Sequence, residues 1–326
     1  MDTELRTLLD GAVERRPIGL EDGKSGSLVE RVTLAGGDTV VVKHIRPDGD
    51  WIMRAMHDEG RAAALWRRGI LAKVPPVVDH AVLGVVDDGD GWALVMRDVG
   101  DHLIPDGRAV TRAENRRLIA GVCAMHEAFA GAALGGLASL VDRYTVLSRL
   151  TPQREPDEGV PRLIGLGWSI FADRVPGDVA GPLLELLDDP TELVEWLAGR
   201  EQTLVHGDLK IPNVGLSEDR VVLVDWGTQT GMAPAAVEWG WYLAISAGRI
   251  EATREEILDD VRAAEGERHD AAALQAALLG AFLQLGWNKA LDAHEHPDPA
   301  VRAREEEDLA WWVRKARGAL DAWPPD

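Results

Sequence analysis

A single cysteine, Cys123, occurs in 326 residues, so no intrachain disulfide can form. It falls in an apolar helical pattern, where a thiol acts as a small buried hydrophobe and not as a nucleophile. Phe and Tyr are scarce as well, three and two against twelve Trp, so indoles must supply the aromatic packing of a core or a pocket. No apolar run reaches the roughly 18 residues of a membrane-spanning helix, which argues against a membrane partner. The first residues, MDTELRTLLDG, lack the apolar core of a secretory leader, so the cytoplasm is the expected compartment. Basic residues are in deficit: 35 Lys and Arg against 55 Asp and Glu leave a formal charge of −20. That argues against nucleic acid as a partner and suits a cationic small molecule, although acidity also serves plain solubility.

With 46% hydrophobic residues over this length, the chain can bury the core of one bilobal domain or two. Residues 4–15 read as a helix. Strands are expected at 18–21 and 28–34, joined by Asp-Gly-Lys-Ser-Gly-Ser, and at 39–45, the β-branched run TVVVKHI. Apolar spacing predicts a helix over 53–68, then strands at 77–86 and 92–96. After Gly100 the period becomes helical, over 114–133, 183–187, 191–199, 233–247, 251–264, 270–291 and 303–322. Residues 151–161, with three Pro, read as a loop. The expectation is an α+β chain with a small antiparallel sheet lobe (residues 1–97) carrying one main helix, and a larger, mostly helical lobe (98–326).

The densest chemistry lies in Leu204-Val205-His206-Gly207-Asp208-Leu209-Lys210-Ile211-Pro212-Asn213. Asp225 follows 17 residues after Asp208, in Val222-Leu223-Val224-Asp225-Trp226-Gly227. An apolar strand running into Asp and Gly places a carboxylate on a rigid edge. Phosphoryl transfer needs a carboxylate to orient and deprotonate a hydroxyl, and hard oxygen ligands for Mg²⁺. Asp208 suits the first task; Asn213 and Asp225 suit the second. Either Asp alone would be an ordinary cap or turn residue; the combination points to an ATP-dependent kinase.

Lys43 sits inside an apolar strand, where an ammonium is costly unless it is paired or faces a cleft. Glu59 follows 16 residues later, on the helix expected at 53–68. A lysine on the nucleotide phosphates, oriented by that glutamate, accounts for both, though each also reads as surface charge. Between the first two strands, Gly23-Lys24-Ser25-Gly26-Ser27 offers backbone N–H groups that suit phosphates, with Ser25, Gly26 and Ser27 as candidates. A strand and not a helix follows, so this is no Walker element.

The HGDLKxxN segment with LVDWG resembles the aminoglycoside phosphotransferase and choline kinase-like family, relatives of the protein kinases, over the chain from Ile18 onward. The resemblance implies a bilobal protein-kinase-like fold with ATP between the lobes, Mg²⁺ as cofactor, and an acceptor held by the helical lobe. It implies Asp208 as the base, Asn213 and Asp225 as metal ligands, Lys43 and Glu59 as the phosphate-binding pair, and His206 as a brace of the catalytic loop. The strand Ala93-Leu94-Val95-Met96 followed by Arg97-Asp98 resembles the adenine-binding hinge, with Val95 and Met96 as the candidates. Lys210 stands where relatives commonly carry His, either neutralising the transferred phosphoryl group or serving as a loop cation. Thr228 replaces a frequent acidic residue. Gly207 replaces the Arg of protein kinases, and the segment after Gly227 is short, which favours a small molecule over a protein as acceptor.

For the acceptor, Glu238 and Trp239 on one helix and Trp287, Asn288 and Asp292 on another are candidates. Acids with indoles suit a cationic antibiotic of aminoglycoside or peptide type. Amides and indoles suit an amino sugar, sugar or amino alcohol equally well. The same Trp residues also read as core. A nucleotide-binding pseudokinase with a regulatory role is the alternative outside enzymology. Monomer and homodimer both remain open.

Overall fold

The computed structural model describes residues 2–18, 27–156 and 158–324. Helix α1 (Asp2–Asp10) leads into strands β1 (Ala12–Pro17), β2 (Val29–Leu34) and β3 (Thr39–Ile45), then helices α2 (Trp51–Ala55) and α3 (Arg61–Arg67). Strands β4 (Val78–Asp79), β5 (Val82–Asp88) and β6 (Gly91–Arg97) precede α4 (Arg112–Ala128), α5 (Leu140–Thr145), α6 (Thr151–Arg154), α7 (Gly159–Arg174), α8 (Gly177–Asp188) and α9 (Thr191–Ala198). Strands β7 (Thr203–Val205), β8 (Val214–Leu216), β9 (Val221–Leu223) and β10 (Gly231–Ala233) follow. Helices α10 (Ala235–Ser246), α11 (Arg254–Glu265), α12 (Ala271–Glu295) and α13 (Pro299–Asp321) close the order. This is the bilobal α+β, protein-kinase-like class expected from the sequence.

The chain forms two compact units. The first comprises residues 1–128, 208–230 and 249–251. Its main sheet has the order β1-β2-β3-β6-β5, antiparallel throughout. Alternation along β3 sends Val40 and Val42 to a core with Leu9, Val32, Leu34, Val86, Ala93 and Val95, and Lys43 to the opposite face. A second sheet, β4-β9-β8, carries the segments on either side of Asn213 and Asp225. The other unit comprises residues 129–207, 231–248 and 252–326. It centres on α12, which is apolar on nearly every side and packs against α7, α10 and α13. Among the described residues, no helix is long and apolar enough to cross a membrane.

Several elements differ from the sequence expectation. The helix read at 4–15 ends at Asp10, and residues 12–17 pair with β2 as a strand. Of the strand read at 18–21 only Ile18 is described, its N–H donating to the Val29 carbonyl at 2.8 Å; most of the glycine segment, Ser25 and Gly26 included, lies outside the described residues, and Ser27 lies within them. The helix at 53–68 is broken. Asp58 accepts the Gly60 and Arg61 N–H groups and starts α3 afresh, with Gly60 in the left-handed region at φ 104°. The loop read at 151–161 is largely helical, because Pro152 and Pro161 occupy first-turn positions where no N–H is required. The indoles are mostly core: Trp168, Trp239 and Trp312 are each 1% exposed.

Candidate active site

The first unit brings Lys43, Asp50, Asp208, Lys210, Asn213 and Asp225 together. The Lys43 Nζ donates to Asp225 Oδ1 at 2.5 Å. Burial works against the Lys43 charge, but Asp225 beside it, with Asp50 and Asp208 further off, lifts the ammonium above its ordinary pKa. Asp50 is itself buried, accepting the Ile52 and Met53 N–H groups at the start of α2 and the Ser27 hydroxyl at 3.0 Å. Ser27 thus ties the end of the glycine segment to an acid that acts on Lys43.

Asp208 is held from two sides. Lys210 Nζ approaches its Oδ2 at 2.9 Å, and Asn213 Nδ2 donates to the same oxygen at 3.1 Å and to the Asp208 carbonyl at 2.9 Å. With its amide nitrogen engaged there, Asn213 has Oδ1 to offer a cation. The Val224 N–H donates to the Asn213 carbonyl at 3.0 Å, so the segments bearing Asn213 and Asp225 are bonded main chain to main chain. Asp225 adopts φ 64°, a left-handed conformation that costs a non-glycine residue about 1–2 kcal/mol. Such a conformation persists only where its surroundings enforce it. One amide oxygen and one carboxylate on adjoining segments fit Mg²⁺, which takes few protein oxygens and keeps water and phosphate for the rest.

Other expected residues fall elsewhere. Glu59 is exposed in the bend before α3, and Lys43 bonds to Asp225 instead. Val95 and Met96 lie within β6, flanked by β3 and β5, so their main-chain groups belong to the sheet ladders. The main chain leaves the sheet after Arg97.

In the second unit, Glu238 is wholly buried, and its carboxylate accepts the N–H groups of both His206 and Gly207. It scaffolds the loop from a buried position. Arg143, 2% exposed, donates Nη1 to the Gly207 carbonyl, so a carboxylate and a guanidinium hold the two ends of one residue. His206 is buried at the same place. Trp239 is buried and donates its indole N–H to the half-buried Glu265 at 2.8 Å, which removes it from the acceptor candidates. Trp287 is buried as well. Asn288 and Asp292 are half-buried and bonded to each other at 3.0 Å. The sequence did not single out Arg61, Arg143 or Asp58. Asp50 was visible in principle as an Asp directly before an apolar helical run.

A family model described as the phosphotransferase enzyme family matches residues 18–276. The chain belongs to that family. The general chemistry of these phosphotransferases is ATP-dependent phosphoryl transfer. No curated protein matches the sequence significantly. Among solved structures, the chain is similar to an aminoglycoside phosphotransferase of Streptomyces rimosus in complex with ADP and streptomycin. That likeness is 19% identical over 86% of this chain and 98% of that one, with a TM-score of 0.53. It is also similar to a thermostable mutant of another aminoglycoside phosphotransferase, at 12% identity over 100% of both chains and a TM-score of 0.50. At these identities the structural likeness speaks for the phosphotransferase fold alone.

Proposed function

We propose that this phosphotransferase moves the γ-phosphoryl group of ATP to a hydroxyl of a small molecule, with Asp208 as the base. The observation that carries the reading is the cluster itself: Asp208 held by Asn213 and Lys210, beside the Lys43–Asp225 pair. Asp208 orients the acceptor hydroxyl and takes its proton as the new bond forms. Asn213 Oδ1 and the Asp225 carboxylate are the ligands for magnesium, which supplies charge neutralisation at the phosphates when bound. Lys43 exchanges Asp225 for phosphate oxygens, and Lys210 offsets charge next to Asp208. Ser27, with Ser25 and Gly26, covers the phosphates, and main-chain groups from Asp98 onward take the adenine. In this reading residues 1–97 form the nucleotide lobe, and 98–326 the catalytic and acceptor lobe.

The net charge of −20 favours a cationic acceptor, and an antibiotic of aminoglycoside type is the leading class. Asn288 and Asp292, half-buried on α12, are the candidates to bind it. Amino sugars, sugars and amino alcohols form the second class, because an amide bonded to a carboxylate also suits hydroxyls. Magnesium-dependent ATP consumption, screened across aminoglycosides, peptide antibiotics, amino sugars and amino alcohols, tests the reading and separates it from a pseudokinase. Asp208→Ala should bind ATP as the wild type does and lose turnover by at least about 10²-fold, the lower end of what a positioned base contributes. Full phosphotransferase activity in that variant would sink the assignment.

A further inference from the structure

The loop bearing Asp225 is fastened in two ways. It closes on itself: Gly227 N–H donates to Thr230 Oγ1 at 3.1 Å, and Thr230 N–H to the Gly227 carbonyl at 2.9 Å. It is also fastened to α3, where Arg61 Nη1 donates to the Thr228 carbonyl. Arg61 is 8% exposed, and its Nη2 donates to the Met56 carbonyl at 3.3 Å. The buried Asp58 carboxylate lies 4.0 Å from its guanidinium and also caps α3 through the Arg61 N–H. The first turn of α3 lies directly against the loop. Gly227 has φ 148°, and a Cβ there would come within 2.9 Å of the Ala62 Cβ. A bulge at Gly227 is therefore barred on this side, while the guanidinium holds the next carbonyl from the same helix.

We propose that Arg61 is a positioning residue for the metal ligand Asp225. Its guanidinium is set by Asp58 and Met56, fixes the Thr228 carbonyl, and so holds the loop in which Asp225 keeps its left-handed backbone. The link rests on the phosphotransferase reading of Asp225 and deepens it. The helix that was expected to orient Lys43 through Glu59 instead orients the metal carboxylate through Arg61. A residue that aims a ligand changes metal affinity more than it changes the affinity for ligands bound elsewhere.

Calorimetric titration of ATP with and without Mg²⁺ tests this on wild type, Arg61→Ala, Arg61→Lys and Asp58→Asn. For Arg61→Ala, the gain in ATP affinity that Mg²⁺ confers should fall by about 10–100-fold, with metal-free ATP affinity unchanged within about twofold. Arg61→Lys keeps one donor for the Thr228 carbonyl and should recover part of the gain. Asp58→Asn, which loosens the guanidinium without removing it, should lose less than Arg61→Ala. If Arg61→Ala does not fold, the ranking of the other two against wild type decides. A wild-type magnesium gain in the Arg61 variants, or an equal loss of metal-free affinity, overturns the positioning role. A wild type with no magnesium gain overturns the phosphotransferase reading itself, and the inference with it.

Discussion

Replacing Lys43 by Met should make this protein bind a divalent cation more tightly in the absence of nucleotide. The ammonium occupies Asp225 Oδ1 at 2.5 Å, so a metal approaching that carboxylate must displace one cation and tolerate its nearness. The Lys43 and Asp225 side chains are 23% and 39% exposed, which puts the pair between interior and bulk solvent. At a charge separation of about 4 Å, the Coulomb attraction runs from about 1 kcal/mol in water to about 4 kcal/mol at an effective dielectric of 20. Rehydration of the freed ammonium and the exposure of Asp225 discount the larger figure, leaving about 1–2 kcal/mol. Methionine keeps the unbranched stem, so packing along β3 is preserved and the charge is the main change. Nucleotide-free Mn²⁺ affinity, read by electron paramagnetic resonance, should therefore rise by about 5–30-fold. ATP affinity in the presence of Mg²⁺ should fall by about tenfold or more, because a phosphate ligand is gone. Unchanged or weaker Mn²⁺ binding by Lys43→Met would refute the idea that the ammonium holds the metal's place.

Two further outcomes follow from the same physical reasoning. Glu238→Gln leaves one acceptor oxygen for two buried N–H groups, at a cost of about 2–3 kcal/mol in urea unfolding, whereas an unchanged midpoint would show the carboxylate to be dispensable. Burial alone would raise the Asp79 pKa, but the Arg97 guanidinium and the Ala81 N–H outweigh it and hold the carboxyl below its ordinary 3.8. That stabilisation is complete above about pH 4 and is lost as pH falls through the lowered value, so Asp79→Asn should flatten the acid limb of the stability curve, with an unaltered limb as the contrary result.

Much of the site was legible because its residues lie close together in sequence. Asp208, Lys210 and Asn213 share one loop, and Asp225 follows two residues after a strand whose apolar run is visible. Lys43 was legible because a charge in the run TVVVKHI has few explanations. The partner of Lys43 was not. Glu59 stood at a suitable spacing, but the Asp58 cap and the left-handed Gly60 break the helix there, and a periodicity count does not register a cap that restarts a helix. Glu238 and Trp239 were misjudged for a related reason. An acid beside an indole looks like a cationic pocket, whereas burial on all sides of α10 turned both inward, toward main-chain N–H groups and Glu265. Val95 and Met96, expected at a hinge, lie inside β6, because strand ends cannot be read to that accuracy from composition.

Gly207 closes one evolutionary road. Its φ of 86° suits glycine, its N–H belongs to Glu238, and its carbonyl belongs to Arg143. Protein kinases carry an arginine at the matching position, and through it a phosphorylated loop switches the enzyme on. Here a single substitution to arginine would strain the backbone just ahead of Asp208 before it gained any phosphate to read. Reading a phosphorylated loop through this position would therefore first disturb the backbone that leads into Asp208.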